Sequence, residues 1–283
     1  MKTRISALFH TAVPLLLAGV AFSATTSINT GSLGVAANGT NSDSVTLSNP
    51  GVLGGADQAA AYSGGARTTI PFQADLNPAS GSPFTIEFWA RPTASDNDDV
   101  AISNRYAPSG ANRSGWVFYQ RAAAVGWNFR MYNGNGSGVA WEVQGGTATL
   151  DAWSHVVATW SGSAATLYVN GALADDSNLA GTSGTYNTNS LSNNVMFSVG
   201  ALFDGLSPSS GLLDEVAFYG SALTPAQIQD HFNLVSSNPG AYQATVLADG
   251  ARLQLTNVPE PTAAWLLGLS GLALLRRRSR HLG

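Results

Sequence analysis

The sequence predicts an all-β domain folded as a sandwich of two antiparallel sheets, and three observations carry that expectation. Short runs alternating apolar with polar residues recur from about residue 59 to 235. Turns rich in Gly, Asn and Ser separate them, and 31 glycines are spread over the 283 residues. Stretches suited to helix are few. With no cysteine, disulfides, thiol nucleophiles, Fe–S clusters and Cys-based zinc sites are excluded, so the core alone must hold the fold. About two hundred residues suffice for that in one domain.

Residues 24–49 read as a lead-in contributing a strand or two. In FTIEFWAR (84–91), Phe84, Ile86 and Phe88 face one way, while Thr85, Glu87 and Trp89 face the other. Similar runs follow at 116–121, 127–132, 139–144, 153–160, 165–171, 195–201 and 212–220. Asn133-Gly134 and Asn170-Gly171 suit tight hairpins that need positive φ. One short helix is predicted after Thr224, a natural N-cap followed by Pro225 at the first helical position and Gln227 to complete a capping box. Residues 236–257 read as a linker, with one strand expected near 244–247 and another near 252–255.

The two ends differ from the middle. Residues 1–23 carry Lys2 and Arg4, an apolar stretch over 11–22, and Ala21-Phe22-Ser23 before Ala24, the pattern of a secretory signal peptide expected to be helical. Residues 258–283 join Val258-Pro259-Glu260-Pro261, an apolar helix expected over 262–275, and a basic tail over 276–283. Between these ends stand seven Arg, no Lys and sixteen Asp plus Glu, a formal charge of −9, which argues against nucleic acid as a partner. Arg276, Arg277, Arg278 and Arg280 favour a cytoplasmic end for the apolar helix. Fourteen helical residues at about 1.5 Å each span about 21 Å, short of the about 30 Å hydrocarbon core, so the membrane association is expected to be transient.

The order of motif, apolar run and arginines resembles the PEP-CTERM sorting signal of Gram-negative bacteria, which is handled by the membrane enzyme exosortase. The resemblance implies Sec export, retention at the inner membrane, processing at Val258–Pro261, and delivery to the cell surface or extracellular matrix. Residues 50–235 resemble a laminin-G-like, concanavalin A-like domain. FTIEFWARP (84–92), DAWSHVVATWSGSAATLYVNGAL (151–173), FSVGALFDG (197–205) and GLLDEVAFYGSALTPAQIQDHF (211–232) carry that resemblance. It implies a jelly roll of about twelve strands in two sheets, one concave and one convex. It also places Asp214 where several relatives help bind a structural Ca²⁺; the alternative is a strand Asp bonded to backbone amides.

A sugar ligand would be met by exposed aromatic faces with polar neighbours. The candidates are Trp116, Trp127, Tyr132 and Trp141, with Arg130 beside them, and each ring has core packing as its alternative. Glycoside hydrolysis needs two close carboxylates. The four glutamates are Glu87, Glu142, Glu215 and Glu260, and none lies two residues from another acid. His231 has no metal-spaced partner, and His155, with no local motif supplying a Ser or Asp partner, reads as structural. The expectation is therefore a non-enzymatic exported sandwich with an adhesive, glycan-binding or structural role. A calcium-dependent lectin and a polysaccharide-cleaving enzyme are the alternatives.

Overall fold

A computed structural model describes residues 26–257, apart from 95–97, 108–111, 123, 181–184, 191 and 193–194. The expected signal peptide and the sorting motif Val258–Pro261 with its apolar helix and basic tail lie outside the described residues. Sixteen strands are described: β1 (Thr26–Asn29), β2 (Gly39–Asn41), β3 (Thr46–Pro50), β4 (Gln58–Tyr62), β5 (Thr68–Ile70), β6 (Phe84–Pro92), β7 (Asp99–Ser103) and β8 (Trp116–Gln120). They continue with β9 (Trp127–Tyr132), β10 (Val139–Gly145), β11 (Ser154–Trp160), β12 (Ala165–Val169), β13 (Ala172–Asp175), β14 (Phe197–Val199), β15 (Gly211–Tyr219) and β16 (Ala251–Thr256). Two α-helices, α1 (Pro225–Ser237) and α2 (Pro239–Ala248), precede β16.

The named strands pair antiparallel in two layers. One runs β10-β9-β8-β7-β14-β5-β2-β1. The other runs β16-β15-β6-β11-β12-β13, with β4 pairing β15 and β3 pairing β4. Hydrogen bonding between β1 and β16 joins the two layers at one edge. The expected two-sheet sandwich is thus observed, with its sheets continuous through that edge.

Alternation explains the layering. Phe84, Ile86 and Phe88 of β6 enter the central core with Trp116, Phe118, Trp127, Phe129 and Met131 of the opposite sheet. Phe88 meets Phe118 edge-on at 5.0 Å between ring centroids and Trp127 at 5.7 Å, locking the layers face to face. The other face of β6 turns to the helices: Trp89, with Tyr219, Ile228, Tyr242 and Val246, forms a second core. A third cluster, Val100, Val117, Tyr119, Tyr132 and Leu202, lies on the outer face of the β7–β9 sheet.

The predicted N-terminus of α1 forms as written, with the Thr224 side chain accepting from Gln227 N and both halves of the capping box present. The linker reading of 236–257 is corrected. Residues 239–248 are helix α2, including the stretch expected as a strand at 244–247, and Ala251–Thr256 is the strand β16. Pro239 at the first helical position restarts the helix directly after α1, and Tyr242 and Val246 supply an i,i+4 buried pair. The linker reading failed because this apolar pair is too short to show periodicity against its small neighbours.

Candidate functional site

A bulge in β15 builds the first cluster. Against β6, the register shifts between Asp214 and Ala217, so one extra residue enters β15, and Glu215 adopts φ +47. The bulge breaks alternation, letting adjacent acids serve one cluster. Asp57, Asp214 and Glu215 each offer an oxygen, and these atoms lie within 4.8 Å of one another. Asp214 and Glu215 are buried, whereas Asp57 is half-buried.

Backbone amides and side-chain amides hold the three carboxyls in place. Val52 N–H donates to Asp214 Oδ2 at 2.8 Å, Glu215 N–H to Asp214 Oδ1 at 3.0 Å, and Leu53 N–H to Asp57 Oδ2 at 2.9 Å. Gln243 Nε2 donates to Glu215 Oε1 at 2.6 Å and Gln254 Nε2 to Oε2 at 3.3 Å. A Cβ at Gly51 would run into the carboxylates of Asp57 and Asp214, so only glycine leaves the cradle open. Burial, then repulsion from Asp57, raises the Asp214 carboxyl well above its usual range. Burial chiefly raises Glu215 to about 7, against the pull of its bond from Gln243. Three crowded acids with oxygen-only donors can hold a hard cation, which would remove that repulsion. A cavity of about 540 Å³, lined in part by Asp57 and Gln243, adjoins the cluster.

Glu87 is the centre of a second, fully buried network behind β6. Its Oε1 accepts from Tyr242 OH at 2.9 Å and lies 2.7 Å from His155 Nε2. Its Oε2 accepts from Tyr219 OH at 2.7 Å and lies 3.0 Å from His231 Nδ1. His231 Nε2 meets Asp249 Oδ2 at 2.9 Å. Burial by itself would raise the Glu87 carboxyl, but the attraction and hydrogen bonds of His231 and His155 win and hold it well below the carboxylate range. For His231, burial lowers and Glu87 raises, and the net shift is upward. With Glu87, His155 and His231 all at 0% exposure, this network pins α1 and α2 to the sheet and offers no surface to a ligand. The sequence hid it because His231 and Tyr242 lie 144 and 155 residues from Glu87.

The aromatic candidates separate by face. Trp116 (0% exposed) and Trp127 (1%) point into the central core, which corrects their reading as ligand platforms. Odd and even positions of β8 and β9 alternate between core and outer face, and both tryptophans fall on the core side. Tyr132 is on the outer face but 1% exposed, covered rather than presented. Trp141 is half-buried, packs edge-on against Trp160 at 5.8 Å, and lines a cavity of about 280 Å³ with Tyr186 and Ser80. Arg130 is half-buried on the outer face, its Nε donating to Glu142 Oε1 at 2.8 Å. Asn128 Nδ2 donates to the same oxygen at 2.8 Å and to Gln144 Oε1 at 3.2 Å, making a polar strip across β9 and β10.

Two antiparallel sheets joined at one edge, with a helix pair on one outer face, define a concanavalin A-like β-sandwich. Residues 40–229 match the Laminin_G_3 model, described as the concanavalin A-like lectin/glucanases superfamily, and the chain belongs to that family. No curated protein matches it. Among solved structures, the binding domain of botulinum neurotoxin serotype G is similar with a TM-score of 0.52 and 15% identity, over 74% of this chain and 49% of that one. This chain therefore spans about half the length of that structure. Trypanosoma rangeli sialidase in complex with the inhibitor DANA gives 0.49 and 14%, over 74% and 33%. Domain 4 of the extracellular arabinanase AbnA from Geobacillus stearothermophilus, in complex with arabinotriose, gives 0.45 and 18%, over 66% and 86%. Likeness at such identities is likeness of fold.

The expectation that the chain is not an enzyme is corrected. The family unites lectins with glucanases, so the fold is consistent with either. The argument from a missing acid pair also fails in three dimensions, because Asp57 on a distant loop comes within 4.8 Å of Asp214 and Glu215.

Proposed function

We propose that the chain is an exported carbohydrate-binding sandwich, steadied by Ca²⁺ at Asp57, Asp214 and Glu215, and sorted to the cell envelope or an exopolysaccharide matrix. There it serves an adhesive or structural role. The half-buried polar strip of Arg130, Glu142 and Gln144 on an outer sheet face carries the binding reading, since fixed polar groups of this kind orient sugar hydroxyls. Family membership supports the same class of ligand. The oxygen-only donor set and the Gly51 cradle support calcium. Sec export and exosortase handling rest on the sequence of the two ends, with the membrane contact of residues 262–275 as a passing stage.

A glycan array with and without chelator tests binding. Retention of some saccharides, weakened by chelator, is the expected result, and no retention of any sugar defeats the reading. Mass spectrometry of the protein recovered from producing cells tests sorting: the mature chain should end at or near Val258–Pro261. An intact tail on cytoplasmic protein would refute it. A second reading is glycoside hydrolysis at the acidic cluster, favoured by the carboxyl of Glu215 at about 7 beside a second acid within 4.8 Å. Release of reducing ends from a bound polysaccharide would establish it.

A further inference from the structure

We infer that the outer face of β7–β9 carries a site for an anionic saccharide, built from Arg105, Arg113 and Arg130 around the Tyr119–Tyr132 pair. The inference rests on the carbohydrate-binding reading and adds the charge class of the sugar.

The distribution of charge is the first support. The chain between residues 24 and 257 has sixteen acids and seven arginines, yet three of those arginines meet here. Arg105 Nη1 donates to Tyr119 OH at 2.8 Å, and the two tyrosine hydroxyls stand 3.4 Å apart. The Arg130 guanidinium lies over the Tyr119 ring at 5.3 Å from its centroid, and that of Arg113 over the Tyr132 ring at 5.7 Å. Two buried rings thus carry three half-buried guanidiniums. Stacking orders Arg113 and Arg130, the bond to Tyr119 OH orders Arg105, and rim N–H groups are left for a planar acid.

Charge balance is the second support. Arg130 is matched by Glu142, but among the described residues no carboxylate lies within ion-pair reach of Arg105 or Arg113. The buried Nε of Arg105 has no hydrogen-bond partner there. An unmatched cation in this setting is costly unless an anion offsets its charge. A carboxylate, as in a uronic acid, accepts two parallel N–H bonds from one guanidinium, the geometry that arginine serves best. The neighbouring half-buried Glu142 and Gln144, held by the buried Asn128 amide, then stand where hydroxyls of the same or the next sugar ring would be met. In a domain otherwise acidic, this island of three arginines gives a polyanion a favourable approach.

The test uses the full chain and four immobilised probes: polygalacturonate, the same polymer with its carboxyls reduced, dextran, and polyglutamate. The inference expects retention on polygalacturonate, at least a tenfold loss on carboxyl reduction, and weakening with salt. It expects a similar loss in the R105Q/R113Q double variant, with thermal unfolding and the calcium response unchanged. R105K/R113K should recover only part, because an ammonium lacks the fork. Equal binding to the native and carboxyl-reduced polymers, or to polyglutamate, would overturn it, as would a double variant that still binds fully. Retention on dextran and carboxyl-reduced polymer alone refutes the anionic site while keeping carbohydrate binding. No retention on any saccharide removes both.

Discussion

At the scale of single residues, two carboxyl clusters do opposite work. The Asp57–Asp214–Glu215 group holds like charges together, whereas Glu87 is saturated by neutral and cationic donors. D57N should keep the acceptor for Leu53 N–H and remove one charge. Its calcium-free Tm is expected to equal or exceed that of the parent, while the rise on adding calcium disappears. Differential scanning calorimetry reads both. G51A should lose the same response, since its Cβ meets both aspartates, and should cost about 1–3 kcal/mol as an overpacked site. E87Q leaves His231 without its buried counter-charge, and a loss of about 3–5 kcal/mol is expected by urea unfolding. A cost under about 1 kcal/mol would show that the network is not what seats the helices.

At the scale of elements, the helix pair and β16 decide where the domain ends. Leu253 and Leu255 of β16 belong to the central core, and Tyr242 of α2 binds Glu87. A chain truncated after residue 235 should therefore fail to unfold cooperatively, because it loses the strand that joins the two sheets and the lid over Glu87. A sharp two-state transition for that truncation would contradict this. T224A should cost about 1 kcal/mol, the usual loss of an N-cap, without changing calcium binding. Element existence was legible wherever alternation ran for five or more residues, as in β6, β11 and β15, and where capping residues marked α1. It was not legible in 239–256, where small and apolar residues mix without a clean period and the partner strand, β1, lies more than two hundred residues away.

At the scale of the whole molecule, pH should act through linkage. Glu87 titrates lower in the folded state than its ordinary 4.5, so its contribution is complete above about 4.5 and is lost as pH falls below that value. His231 titrates higher than its ordinary 6.5, so its contribution is complete below about 6.5 and is lost as pH rises through the folded value. Glu215, raised to about 7 from 4.5, adds a penalty that grows between those values without cation. Calcium-free protein should thus be most stable near pH 5, and calcium should flatten the decline toward neutrality. A cation at a hundredfold excess over its Kd adds about 2.7 kcal/mol, or roughly 5–10 °C in Tm for a domain of this size. Thermal scans from pH 3 to 8, with and without calcium, would show both effects, and a stability maximum above pH 7 without calcium would contradict the assignment.

Local periodicity and composition were enough to specify the sheet-forming runs, the capped helix α1 and the absence of thiol chemistry. The sequence also singled out Asp214 and Arg130. Which tryptophans face the core, and the meeting of Asp57 with Asp214 and Glu215, came from the folded chain alone. The same holds for Arg105 and Arg113 gathering on two tyrosines, and for Glu87 drawing in both histidines. Those are contacts between residues distant along the chain, set by sheet register and by one bulge. A one-residue change of register moves a side chain to the opposite face, and no local pattern in the chain records that choice.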